Sequence, residues 1–193
     1  MPTRFADIAF TPSVKAAQSR YGSREANRGF ELADDAANEL GRREIDFISA
    51  RDTFYQATVS ESGWPYVQHR GGPAGFLKVL DARTIGYADF RGNAQYLSVG
   101  NLAANDRIAL ILVDYAHRRR LKLWGRARII HAETDPSLVT QLELPSYRAR
   151  IERGIVVRVE AFSWNCPQHI TQRYTKMEAE RLMAPRSEEG DRR

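Results

Sequence analysis

The chain has one cysteine, Cys166, among 193 residues. An intrachain disulfide is therefore excluded, and so is a metal site built from several thiolates. A single thiol suits a reducing compartment, and the expected location is the cytoplasm. Long apolar runs are also missing. The longest, Ile108–Val113, is far shorter than the about 20 residues a membrane-spanning helix needs, so no membrane association is expected. Met1–Phe10 holds Arg4 and Asp7 and has no apolar stretch followed by small residues, so it does not read as a signal peptide. The four histidines show no strong metal spacing. No Gly-rich phosphate loop opens a helix after a strand, and no nucleophile–base pair stands out. Cys166 and His169 are near in sequence, yet the thiol reads as structural. Neither sign of charge dominates, with 29 basic residues against 24 acidic ones and a net charge of +5. Such an excess keeps a protein soluble and is also compatible with a phosphorylated small molecule, nucleic acid or an anionic surface.

What is present is enough apolar material for a real core: 42% hydrophobic residues and 10% aromatic. Thr11-Pro12 is a helix-start signal, and a short helix is predicted to Arg20. A longer one is predicted from Phe30 to Ala50, where Phe30, Ala33, Ala37, Leu40, Ile45 and Ile48 form a stripe, with Gly41 as an interruption. From Thr53 the pattern becomes that of strands. Thr53–Ser60, Trp64–Arg70, Phe76–Leu80 and Thr84–Asp89 are predicted to pair through tight turns. A short helix is predicted over Ala94–Ala103. Strands follow at Arg107–Asp114 and Arg119–His131, the second bent or bulged at Gly125. A helix to about Leu142, a strand over Gly154–Phe162 and a helix over Thr171–Met183 complete the reading. Ala184–Arg193 is charged and poor in apolar residues, which predicts a disordered tail. Seven or so strands without regular helix alternation argue for an antiparallel barrel and against a parallel α/β sheet.

Four polar constellations stand out. Gln68-His69-Arg70-Gly71-Gly72-Pro73 puts a guanidinium and an imidazole beside glycines that let a ligand approach the backbone; the same residues also suit a β-turn with an exposed arginine. Ala88-Asp89-Phe90-Arg91-Gly92-Asn93, with Ser98 and Asn101 on the next helix, suits either an anion near a helix start or ordinary loop capping. His117-Arg118-Arg119-Arg120, with Lys122, Arg126 and Arg128, suits an anion site or a solvated hairpin. Trp164-Asn165-Cys166-Pro167-Gln168-His169, with Arg173, could frame a planar ring or be a core tryptophan followed by a turn.

The order of these motifs resembles the pyridoxamine 5′-phosphate oxidase-related flavoproteins. The carriers are Thr53–Ser60, Gly63-Trp64-Pro65, Gln68–Gly72, Asn101-Leu102, Asn105–Leu110, Gly125-Arg126-Ala127 and the block Trp164–Ile170 with Arg173. The resemblance runs from about Phe47 to Arg173. It implies a mainly β, antiparallel, Greek-key-like FMN-binding split barrel with flanking helices, working as a homodimer with the flavin at the subunit interface. The implied division is a helical extension over residues 1–50 packing on the barrel, the flavin-binding domain with its C-terminal helix over 51–183, and the tail over 184–193. The implied cofactor residues are Gln68, His69, Arg70, Gly71, Ala88, Asp89, Asn93, Ser98 and Arg120, with Trp164 and Arg173 resembling those given by the partner subunit. The implied activity is FMN-dependent oxidoreduction of an unidentified small molecule. True pyridoxamine-phosphate oxidases carry a serine-arginine-lysine run for the FMN phosphate. Here Asn93-Ala94-Gln95 or Ser98-Val99-Gly100 stands in that region without the basic pair, so FMN is expected to be held through other cations, and the resemblance implies a generic flavin oxidoreductase or reductase rather than an oxidase of pyridoxamine phosphate. The C-terminal arginine-leucine-histidine signature is reduced to Arg173-Tyr174.

The alternative is a non-catalytic flavin- or haem-binding carrier or sensor, with His69, His131 and His169 as candidate haem ligands. Nucleic-acid binding through Arg118–Arg120 is not expected, because aromatic residues do not interleave with the basic run.

Overall fold

The computed structural model describes residues 5–32 and 38–184. Three short helices come first: α1 (Phe5–Ala9), α2 (Pro12–Arg20) and α3 (Arg24–Leu32). Thr11 caps α2, its hydroxyl accepting from the Val14 amide at 3.4 Å. The predicted helix over 30–50 is not continuous. α3 starts earlier, at Arg24, and α4 (Arg42–Ser49) begins only after Gly41. Leu40 enters the core from the turn before α4, its amide bonded to the Ala82 carbonyl at 2.6 Å, so the apolar stripe is shared between a turn and a helix. Residues 33–37, part of that prediction, lie outside the described residues, as do 185–193 of the predicted tail.

The seven strands are β1 (Thr53–Val59), β2 (Pro65–Gly71), β3 (Lys78–Asp81), β4 (Thr84–Phe90), β5 (Arg107–Asp114), β6 (Arg119–Ile130) and β7 (Ile151–Asn165). They form one antiparallel sheet in the order β2-β1-β5-β6-β7-β4-β3. The sheet curls on itself. Phe54 of β1 packs edge-on against Tyr87 of β4 at 5.2 Å and stacks on Phe76 at 5.5 Å, although β1 and β4 are far apart in strand order. The enclosed core contains Phe54, Leu110, Leu112, Leu121, Leu123, Ile155 and Val157, the inward set of a period-two pattern. Phe76 and Leu77, predicted as strand, instead plug this core ahead of β3.

Three further helices lie among the strands and after them. α5 (Leu97–Ala104) starts later than predicted because Ala94 (φ 59°) and Tyr96 (φ 52°) are left-handed, which no helix tolerates. α6 (Pro136–Leu142) covers a second cluster of Ala88, Ile130, Val139, Leu142 and Val156. α7 (Lys176–Met183) starts at a reciprocal Thr175–Glu178 cap rather than at Thr171. β7 runs past both predicted ends because it pairs with β6 and with β4. Gly125 sits at a register shift between β6 and β7. A Cβ there would lie 2.5 Å from the Arg158 carbonyl oxygen, so the close strand approach requires glycine. No described helix is long and apolar enough to cross a membrane.

Candidate cofactor site

The split between β2 and β4 is bridged by charge. On β2, Gln68 and Arg70 face inward, opposite Gln56 and Phe54 of β1, while Val67 and His69 face out. Asp89 near the end of β4 is cross-strand partner of Arg153 at the start of β7. Arg153 Nη1 donates to Asp89 Oδ2 at 3.2 Å. Arg70 Nη1 lies 2.7 Å from Asp89 Oδ1 as an ion pair without hydrogen-bond alignment. One buried carboxylate thus ties two arginines from opposite sides of the split. Burial pushes the Asp89 carboxyl above its ordinary value, and the two guanidinium groups oppose that rise.

A cleft opens beside this bridge. Its walls are Gln68 and Arg70 of β2, Asp89 and Phe90 of β4, the loop Gly92–Tyr96, the first turn of α5 with Ser98, and Glu152-Arg153 of β7. Ser98 Oγ donates to Gln68 Oε1 at 2.8 Å. Asn93 folds the loop by accepting from the Gln95 amide at 3.1 Å. Tyr96 donates through its hydroxyl to Glu152 Oε1 at 3.2 Å, and the Arg153 guanidinium lies over the Tyr96 ring, 4.9 Å from its centre. The cleft is partly open to solvent and has a volume of about 40 Å³. A water needs about 10–15 Å³ by this measure, so the cleft takes the head of a small anion and not a tricyclic ring. Arg70 Nε is buried here without a hydrogen-bond partner.

Of the residues predicted for the site, Gln68, Arg70, Asp89, Asn93 and Ser98 line this cleft. The others lie elsewhere in the chain. Ala88 packs in the cluster under α6. The space beside Gly71 is taken by the His69 ring at 3.2 Å, and that beside Gly72 by the Phe76 ring at 2.8 Å, so both glycines serve packing. His69 is exposed on the outer face, edge-on to Tyr55 at 5.4 Å. That face continues through the cross-strand partners Tyr55, Ile111, Lys122 and Ser163. Arg120 stands on the same face of β6, donating to the Cys166 carbonyl at 3.2 Å, with its Nε buried and unbonded. Burial and the neighbouring Arg120 lower the Lys122 ammonium from its ordinary value. Trp164 is fixed from α4: its indole N–H donates to Glu44 Oε1 at 2.7 Å, Arg43 lies 4.2 Å over the ring and Phe47 meets it edge-on at 4.8 Å. Arg173 lies over the Tyr115 ring at 5.3 Å. His131 and His169 are exposed, one after β6 and the other after β7.

Sequence reasoning missed Tyr96, Glu152 and Arg153. The available signal was the charged pair immediately before the apolar strand, where a buried β7 residue would need a partner.

Residues 44–159, more than half of the chain, match the sequence profile of the family described as pyridoxamine 5′-phosphate oxidase. The chain belongs to that family. Solved structures agree on the fold. A candidate pyridoxamine 5′-phosphate oxidase from Lactobacillus delbrueckii superposes with a TM-score of 0.51 at 18% identity, covering 65% of this chain and 94% of its own. HupZ from Group A Streptococcus gives a TM-score of 0.51 at 17% identity, covering 70% of this chain and 99% of its own. The curled seven-stranded sheet is accordingly a split β-barrel. No curated protein matches the chain by sequence.

Proposed function

We propose that this chain is an FMN-binding oxidoreductase of the pyridoxamine 5′-phosphate oxidase-related type. It acts on a small molecule in the cytoplasm, as a homodimer with the flavin between two copies. The observation that carries the reading is the cleft at the barrel split, where two arginines from β2 and β7 meet over one buried carboxylate. Its volume suits a phosphate head and leaves the ring to lie outside it. The unbonded Arg70 Nε is a donor still lacking an acceptor, which fits a phosphorylated ligand.

The arrangement of the remaining residues supports two copies. Gln68, Arg70, Asp89, Asn93 and Ser98 line the cleft, whereas His69 and Arg120 stand on the outer face of the same sheet. A ligand held between two chains can use both sets, one from each. Arg120, Trp164 and Arg173 are assigned on this reading to the flavin held mainly by the other copy. Bound FMN supplies hydride or electron transfer between a donor and an acceptor. The chain's own part is to hold the phosphate through Arg70 and Ser98, to order the loop through Asn93, and to keep Trp164 in place through Glu44.

The test is a flavin titration of the purified protein, followed by removal of unbound ligand. A flavin absorption band should stay with the protein, and Arg70→Ala should weaken FMN binding by about tenfold or more, equal to about 1.4 kcal/mol. Wild-type protein that retains no flavin after loading would end this reading. A Soret band on haem addition in place of flavin retention would favour the carrier or sensor alternative. Retained flavin that no nicotinamide cofactor or oxidisable amine reduces would point to a flavin carrier.

A further inference from the structure

We propose that Arg153 joins Arg70 as a cation that receives the phosphate of the flavin nucleotide, and that Glu152 occupies its place beside Arg153 until the ligand arrives. The proposal rests on the flavin reading above and adds a residue pair to it. The loop after β4 carries no basic pair, so the phosphate has to find its charge elsewhere in the cleft. Among the described residues lining the cleft, the cations are Arg70 and Arg153. Arg70 is ion-paired to Asp89 at 2.7 Å, which offsets part of its charge. Arg153 is shared between Asp89 and Glu152, at 3.2 and 2.9 Å.

Glu152 and Arg153 are adjacent in β7, and adjacent strand residues ordinarily point to opposite faces. Here they meet because the register slips. Asp89 pairs with Arg153 and Phe90 with Ile151, which leaves Glu152 as an extra residue opposite neither. Such a bulge re-aims a side chain, and it turns the Glu152 carboxylate into the cleft beside the guanidinium. With Glu152 in place the cleft is balanced, two arginines against two carboxylates. A phosphate entering that balanced cleft meets the repulsion of both carboxylates.

The two carboxylates are not equally free to move. Asp89 is buried in a strand between two arginines. Among the described residues, Glu152 is held on its other side by the Tyr96 hydroxyl alone, on a loop that keeps Ala94 and Tyr96 at positive φ although neither is glycine. Release of Glu152 frees both Arg153 Nη2 and the Tyr96 O–H as donors to a phosphate in the same place. The carboxylate therefore stands in for the ligand and keeps a buried guanidinium compensated in its absence.

The test compares FMN with riboflavin, which has the same ring and no phosphate, by quenching of flavin fluorescence. Wild type should prefer FMN. Arg153→Gln should weaken FMN by about tenfold or more while riboflavin stays within about twofold. Glu152→Gln, which removes the competing charge and keeps an acceptor for Tyr96, should raise the preference for FMN severalfold. Arg153→Lys retains the charge and should keep most of the preference; it also serves if Arg153→Gln does not fold. Equal losses for both flavins in Arg153→Gln would make Arg153 a structural brace, and an unchanged or reduced preference in Glu152→Gln would remove the stand-in role. Wild type that binds both flavins equally overturns this proposal and leaves the flavin reading intact. Wild type that binds neither overturns the flavin reading itself.

Discussion

Asp114 closes β5 with its side chain buried against two arginines and a histidine. Arg119 Nη2 lies at 3.1 Å and Arg51 at 3.5 Å, and the His117 amide and ring both reach the carboxylate at 3.0 Å. Burial by itself would raise this carboxyl. The His117 hydrogen bonds, Arg119 and Arg51 together outweigh it and hold the group below its ordinary value of 3.8. A depressed acid binds its proton more weakly in the folded chain than in the unfolded one. Its stabilisation is therefore complete above the unfolded value and is lost as pH falls below it. Asp114→Asn is expected to cost about 1.5–3 kcal/mol at pH 7, the range for hydrogen bonds to charged groups. The gap between variant and wild type should close on the acid side of about pH 4. Urea unfolding at both pH values measures this, and an equal gap at both would show that the charge of Asp114 contributes nothing.

At the scale of elements, α4 matters through what it fixes. Glu44 accepts from the Gly41 amide at 3.2 Å with one oxygen and from the Trp164 indole at 2.7 Å with the other. One side chain thus caps a helix and anchors β7 to it. Glu44→Ala is expected to lose about 1–3 kcal/mol, because an indole N–H is left unpaired beside Phe47. In Trp164→Phe that donor is gone, so the same Glu44 change should cost less. A double-mutant cycle by denaturant unfolding should therefore show coupling, and strict additivity would mean the bond is unimportant. Neither partner of this bond was legible from spacing, since 120 residues separate them. The strands were legible because inward residues such as Leu121 and Leu123 alternate with Arg120 and Lys122. The α5 start was not, because left-handed Ala94 and Tyr96 are residue types that normally favour φ below zero. The cleft was half legible. Arg70, Asp89 and Ser98 flank turn signals, whereas Glu152 owes its place to a bulge that only the register reveals.

The whole molecule has two grades of packing. From α4 onward the barrel encloses nearly all of the buried side chains, whereas α2 and α3 bury none and α1 buries only Ala6. The first three helices hold on through an aromatic cluster: Phe5 lies 5.3 Å from Trp124 of β6, 5.9 Å from Phe10 and 6.0 Å from Phe30. Phe30 remains half exposed, and Leu32 is almost fully so. Few buried apolar contacts make a segment that opens at low free-energy cost while the core stays closed. A chain starting at Asn38 is therefore expected to fold cooperatively, with a midpoint lowered by only a few degrees, about 2–4 °C per kcal/mol lost at this size. It should also take up flavin as the full chain does, because none of α1–α3 lines the cleft. Trp124 loses its cover in that chain, so its fluorescence should shift to the red. Collapse of the truncated chain to an unfolded state would mean that the Phe5–Trp124 contact belongs to the barrel's core and is more than an attachment to its surface.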